Sequence, residues 1–442
     1  MRYSCFLFLV LVACGDGGGG VGTLPDAPRA PDAGIDAPGV QPVTLTITSN
    51  AAPVAGIHTY FLNADSTVVK TVDTDATGAA SATMVAGGSV TVINPFVVAL
   101  GGIRFDDLRT FMGVKPGDHL VLAQTDSPPS ITVPLTVPVV AQADTYEIRT
   151  TCGSGSILIN NQNQLIANPT GDISLAGCNG MADILVLASG PVVEQPRFTV
   201  ALYRANVAVA DNVAVDLTTD VYHNLADVTF DYTNVASSTT SIFVSHRLAT
   251  PRGAIFDTSN STAITGTTAS ITLSEPTIEG AVGTIVSSVL QSGSHQIFQR
   301  RAVTATNTFD LAGLLPNFLG GDFYNAATKR LSWQEATVGV RPDLTLAEIT
   351  VVQTQTTTRG WKWRVASPYV SGGELTFPTL PIDVANWAPN PDDQVDVTML
   401  THAKVPGGYD AIRAHIHDDT ADPSSVIGAP TDTLLLVSIQ NN

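Results

Sequence analysis

Val43-Thr44-Leu45-Thr46-Ile47-Thr48 alternates strictly between apolar and hydroxyl side chains. Successive residues of a strand face opposite sides, so this pattern buries Val43, Leu45 and Ile47 on one face and leaves the threonines on the other. The same grammar continues. Ser49 to Pro53 reads as a turn and Val54 to Phe61 as a second strand. Val68 to Val72, the turn Asp73-Thr74-Asp75-Ala76-Thr77-Gly78, Ala79 to Met84 and Ser89 to Ile93 complete the set. Short strands at even spacing between Gly, Asp and Pro turns predict a β-sandwich.

Further along, Asp106-Asp107-Leu108-Arg109-Thr110-Phe111-Met112 reads as a short helix. Lys115-Pro116-Gly117-Asp118 is a turn before the strand His119 to Leu122. Pro134, which has no amide hydrogen, places the strand Ile131 to Val137 at a sheet edge. A second β-rich region begins near residue 139. Tyr146 to Thr150 runs into Cys152, and Ala182 to Leu187 follows Cys178. Phe198 to Tyr203, Val228 to Tyr232, Ser241 to Ser245 and Ala269 to Leu273 extend it. A third region starts at Leu311, with strands at 329–333, 347–352, 358–365, 411–415 and 434–439.

Pro53-Val54-Ala55-Gly56-Ile57, the aromatic strand after it, and Thr74-Asp75-Ala76-Thr77-Gly78-Ala79-Ala80 resemble bacterial Ig-like repeats and the carboxypeptidase regulatory-like (transthyretin-like) domain. The resemblance covers residues 43 to about 95. It implies a spacer, stalk or binding platform and transfers no catalytic residue. Leu331-Ser332-Trp333 with the strands after it resembles a fibronectin type III domain. The expected fold is therefore all-β, with tandem Ig-like/fibronectin-like β-sandwich domains at 43–138, 139–310 and 311–442 on a disordered N-terminal tether.

The tether follows from the first residues. Arg2 precedes an uninterrupted apolar run from Cys5 to Ala13. That run is too short to span about 30 Å of hydrocarbon as a helix, but suits the core of a secretory signal. Leu11-Val12-Ala13-Cys14 resembles the lipobox of bacterial lipoproteins. The resemblance implies cleavage after residue 13 and acylation of Cys14, which becomes the link to the lipid bilayer. Several acyl chains anchor stably where one does not. Residues 15–42 are Gly, Pro, Asp and Ala with few large apolar side chains, so they cannot offset the entropy of ordering. Extended, this spacer reaches roughly 80 Å, and as a coil about 30 Å. The expected location is extracytoplasmic, at the outer membrane or cell surface rather than the inner membrane.

Of four cysteines, Cys5 leaves with the signal and Cys14 takes lipid. Cys152 and Cys178 remain, and in an oxidising compartment they read as a disulfide. Asp and Glu number 39 against 21 Lys and Arg, for a formal charge of −18. With so little to neutralise phosphates, nucleic acid is excluded as a partner. The partner expected beyond the bilayer is an unidentified protein or glycan. No second apolar stretch is long enough for a membrane-spanning helix.

There is no His-Glu-x-x-His, phosphate-binding loop or Gly-x-Ser-x-Gly elbow. Gly153-Ser154-Gly155-Ser156 lacks that spacing and reads as a flexible turn. His415-Ile416-His417-Asp418-Asp419 is the sharpest ionisable cluster: on a strand both histidines share a face, as metal ligation requires, while the plainer reading is a solvated strand end. Asp73-x-Asp75-x-Thr77-Gly78 begins like a calcium loop, but Met84 stands where a bidentate Glu is needed, so a turn is the better account. No metal or other cofactor is expected. Trp361, Trp363 and Val365 alternate with Lys362 and Arg364. Buried, the tryptophans are sandwich core; exposed, they form a platform for sugars. The leading expectation is a non-catalytic binding or structural ectodomain. The alternatives are a carbohydrate-binding module using Trp361 and Trp363, and an envelope hydrolase with an unrecognised site.

Overall fold

Val43–Ser49 forms the expected strand, with Val43, Leu45 and Ile47 fully buried and the threonines between them partly open. It pairs in parallel with His119–Gln124 on one side and antiparallel with Ala79–Ala82 on the other. The computed structural model describes residues 41–49, 52–93, 98–100, 103–124, 129–141, 143–158, 168–178, 180–190, 198–290, 294–302, 304–353, 359–413 and 433–439. The signal peptide, Cys14, most of the tether, and His415, His417 and Asp418 lie outside these residues.

The described part is nearly all β, with only short helical turns such as Gly408–Arg413 between strands. Its spine is a thirteen-stranded sheet. The order runs Gly253–Ala263, Ser241–Thr250, Val282–Leu290, Ser294–Ala302, Thr433–Ile439, Gln394–Lys404, Leu344–Gln353, Arg359–Pro368, Ile103–Val114, Gly88–Ile93, His58–Leu62, Val68–Asp73, with Val98–Leu100 beside Ile103–Val114. Smaller sheets cover it. The sheet around Val43–Ser49 packs on one face, joining Leu45 and Ile47 to Phe61, Phe111, Leu346 and Ala366. A three-stranded sheet, Phe318–Asn325, Arg330–Glu335 and Glu374–Thr376, packs on the other face around Trp361, Trp363, Phe377 and Leu331. A further three-stranded sheet, Ala226–Thr233, Ala269–Glu275 and Thr306–Asp310, covers the half built from Ser241–Thr250 and its neighbours.

Several expectations are corrected. Gly153–Ser156 is not a flexible turn but the start of the strand Gly153–Leu158, and residues 411–413, read as the start of a strand, end the short helix Gly408–Arg413. Residues 106–112 are not a helix but the middle of the twelve-residue strand Ile103–Val114. Leu108 and Phe111 mimic helical spacing, yet they enter different cores on opposite faces of the sheet. Asp107 and Arg109 share a face two residues apart and pair at 2.7 Å, which is strand spacing. Hydrogen bonding crosses the boundaries read at 138 and 310. Ser130–Thr136 joins the strands that follow it, pairing along its length with Thr170–Ala176. Ile103–Val114, from the first region, pairs in parallel with Arg359–Pro368, from the third, so both regions share one sheet.

Eight strands between residues 130 and 224 form a sheet of their own. Its first and last members, Val215–Asp216 and His223–Asn224, are close in sequence, so the sheet curls around a core of Val133, Leu135, Tyr146, Ile148, Ile173 and Val186. Pro134 sits where its strand has a partner on one side only; the second neighbour begins opposite Leu135. Cys152 and Cys178 are disulfide-bonded. The bond joins the turn after Thr145–Thr150 to the segment leading into Met181–Ser189, and those two strands are direct neighbours.

Candidate functional site

The groups that most resemble catalytic machinery lie inside cores. His402, on Gln394–Lys404, is fully buried and stands opposite Thr345 across the sheet. Its Nε2 donates to Glu335 Oε2 at 3.1 Å, so its Nδ1 is left to accept from the Thr345 hydroxyl at 3.1 Å. Burial lowers the His402 pKa, against the pull of Glu335, and favours this neutral form. Burial by itself would raise the Glu335 carboxyl. Hydrogen bonds from His402, Tyr369 (2.6 Å) and Trp333 (3.2 Å) outweigh it and hold the group at about 2. The Thr-His-Glu chain is capped by the Phe318, Trp333 and Tyr369 rings. With Thr345 1% exposed, its hydroxyl is a core hydrogen-bonding group out of reach of a substrate.

His246 and Glu275 form a second sealed pair, Nδ1 to Oε1 at 2.6 Å, each side chain 2% exposed. The imidazole fills the space over Gly283, where an added Cβ would stand 2.2 Å from Nε2. Phe230 packs against it edge-on.

Trp361 and Trp363 are both fully buried, which overturns the reading of an exposed sugar platform. The Trp363 indole donates to the Thr110 hydroxyl at 2.9 Å, and Trp361 stacks edge-on against Trp387. Lys362 and Arg364 face the other way and converge on Glu348 at 2.9 and 2.6 Å. Burial opposes ionisation of Glu348, but Arg364 and Lys362, with Thr398, lower its pKa overall. The Asp75 carboxylate accepts from the amides of Thr77 (2.8 Å) and Ala79 (3.1 Å) and from the Thr77 hydroxyl (2.6 Å). That is the geometry of a turn, and it lowers the Asp75 pKa. Among the described residues no group of three metal-ligating side chains is found.

The open polar site lies elsewhere, where the outer face of the curled sheet meets the hairpin of Ser241–Thr250 and Gly253–Ala263. It is a cleft of about 510 Å³ lined by Glu147, Arg149, Ser154, Arg247, Phe256 and Asp257, among others. Tyr146, Ile148 and Thr150 point into the curled core, so alternation turns Glu147 and Arg149 outward. Leu185 and Leu187 beside them pack on Leu248, Ile255 and Phe256, which fixes the two walls against each other. Arg149 bridges the walls. It donates to Glu147, to the Asp257 carboxylate and, at 3.1 Å, to the Asp257 carbonyl, with its guanidinium 5.6 Å from the Phe256 ring centre. Arg247 stands opposite Asp257 in the hairpin register and is exposed. The sequence marks these residues only as charged positions on strand faces; their convergence across 108 positions, from Arg149 to Asp257, has no local signal.

No protein-family model and no curated protein matches the chain. Among solved structures there are weak likenesses to the Bacillus anthracis TIE protein (10% identity over 61% of this chain and 49% of that one, TM-score 0.15). Others are a Streptococcal ancillary pilin (9%, 61% and 98%, TM-score 0.14) and a tetra-tandem repeat from the extending region of a large adhesion protein (12%, 84% and 95%, TM-score 0.12). The chain spans about half the length of the first of these. Similarity at this level carries no argument about function.

Proposed function

We propose that the chain is a lipid-anchored, non-catalytic ectodomain that displays a rigid β-sheet body for binding or structural work in the bacterial envelope. One observation carries the reading. Ile103–Val114 and Arg359–Pro368 hydrogen-bond along seven residue pairs, which makes strands of the first region and of the third parts of one sheet, with the sheet of Val43–Ser49 packed on its face. A ligand or partner engaged anywhere on that sheet is thereby linked mechanically to the N-terminal side. The sealed His402–Glu335 and His246–Glu275 pairs support the non-catalytic part, because both histidines are spent on packing. The anchor rests on Leu11-Val12-Ala13-Cys14, and a surface or outer-membrane location on the long acidic spacer after it.

Labelling cells with an alkyne palmitate analogue tests the anchor. Wild-type protein takes the label and sediments with membranes, and Cys14→Ala does neither; equal labelling of both rules the anchor out. Protease shaving of intact cells, with a periplasmic control protein, then decides the face. Loss of the ectodomain while the control survives places it on the surface. Protection until the outer membrane is breached places it within the envelope.

A further inference from the structure

We propose that the cleft between the curled sheet and the Ser241–Ala263 hairpin binds a sugar acid, with the ligand carboxylate on Arg247 and its hydroxyls donating to Glu147 and Asp257. The inference gives the binding role proposed above a site and a ligand class, and rests on that reading only in requiring no reaction.

Three features select the ligand. First, the volume of about 510 Å³ falls in the range of small-ligand sites, roughly 300–1,000 Å³. Second, the cleft presents both signs of charge. Arg149 is committed to Glu147 and Asp257, and it engages one oxygen of each carboxylate, leaving the other oxygen of each to accept hydrogen bonds. Arg247 has no hydrogen-bond or ion-pair partner among the described residues, and a guanidinium only donates. A bare inorganic anion satisfies Arg247 but meets two carboxylates with no donor to offer. A neutral sugar satisfies the carboxylates but leaves Arg247 without a counter-charge. A polyhydroxylated carboxylate answers both, and the exposed Ser154 adds a hydroxyl that can donate or accept.

Third, a peptide adding as a strand is disfavoured. Gly253–Ala263 is the terminal strand of its sheet, and such an edge accepts β-augmentation. Arg149 occupies that edge by donating to the Asp257 carbonyl at 3.1 Å, so a strand cannot register past this point. What remains is a compact ligand recognised by side chains.

The test uses the full-length protein, with D-galacturonate as probe and D-galactose and acetate as separate arms, read by ligand-detected NMR and calorimetry. Galacturonate is expected to bind, with galactose and acetate each at least about tenfold weaker. Arg247→Gln should weaken galacturonate by about tenfold or more, the loss expected for one charged hydrogen-bonding partner. Ser154→Trp, at an exposed position, should block the cleft, while Arg330→Gln, remote and exposed, should change nothing. No galacturonate binding, acetate binding as well as galacturonate, or unchanged affinity in Arg247→Gln each overturns the assignment. None of these outcomes touches the palmitate and shaving results, so the anchor and the cleft fail independently.

Discussion

The Trp363 indole Nε1 lies 2.9 Å from the Thr110 hydroxyl, a bond between residues 253 positions apart that ties the first sequence region to the third through the middle of a core. Neither atom has access to water, since Trp363 is fully buried and Thr110 1% exposed. Thr110→Val keeps the shape and removes the acceptor, leaving a buried N–H without a partner. That costs about 1–3 kcal/mol. Trp363→Ala also opens a cavity and should cost about 3–5 kcal/mol. Urea denaturation of the two variants checks both values. If Thr110→Val matches wild type, the bond contributes nothing to stability.

Stability should fall on acidification, and the Glu335–His402 pair sets the direction. The folded Glu335 carboxyl sits at about 2, below its ordinary 4.5, so the unfolded chain binds its proton first. This contribution is complete above the ordinary value and is lost as the pH falls through about 2. The His402 pKa is also lowered, by burial, so the unfolded chain takes that proton first as well, starting from an ordinary value of 6.5. Both groups therefore act in the same sense. Melting temperature should decline from about neutral pH downward, first through histidine and then through carboxylate. Glu335→Gln should be destabilising at neutral pH, and its deficit should shrink toward pH 2. A deficit independent of pH means that the Glu335 charge is not what the fold uses.

Much of the local structure was legible in the sequence, because strand alternation is a local property. Val43 to Thr48 shows its buried face directly, and the Trp361, Trp363, Val365 stripe has the same period. The Cys152–Cys178 pairing followed from counting cysteines. What could not be read was which strands become neighbours. Nothing in Ile103–Val114 announces a parallel partner more than 240 residues later, because parallel pairing is specified by burial on both faces and not by a turn. The same long-range pairing hid Asp107 and Arg109. In sequence they look like helix surface, but in the sheet they lie beside Arg364 on the joint. The cleft was invisible for the same reason: Arg149 and Arg247 belong to different sheets.

Removing the disulfide should cost about 3–4 kcal/mol on the chain-entropy account, because it closes a loop between residues 26 positions apart. The pair lies at one end of the curled sheet, and Cys152 and Cys178 both pack against its core. Cys152→Ser with Cys178→Ser should therefore lower the urea midpoint. The fluorescence of Trp361 and Trp363, which lie in another core, should report the loss only if the whole ectodomain unfolds as one unit. Adding reductant to the wild type should reproduce the shift, and reductant should leave the double variant unaffected.

That cooperativity has its own test at the joint. Glu348 accepts from Arg364 at 2.6 Å and Lys362 at 2.9 Å, and Arg364 also lies 3.8 Å from Asp107 of the neighbouring strand. The Glu348 and Asp107 side chains are 10% and 8% exposed, so the cations beside them depend on them for neutralisation. Glu348→Ala takes a counter-charge from Arg364, 19% exposed, and from the more open Lys362; partial solvation and the nearby Asp107 hold the expected penalty below the roughly 3–5 kcal/mol of a fully buried pair. Glu348→Gln keeps the acceptor oxygen and should cost less. A chain ending at residue 310 goes further: it removes Arg359–Pro368 and takes Leu344, Leu346, Ala366, Ala403 and Tyr409 from the core that holds Val43–Ser49. Its N-terminal strands should then be open to limited proteolysis under conditions where the full chain resists. If residues 43–124 stay protected in the shortened chain, the first region folds alone and the shared sheet is a contact between independent domains.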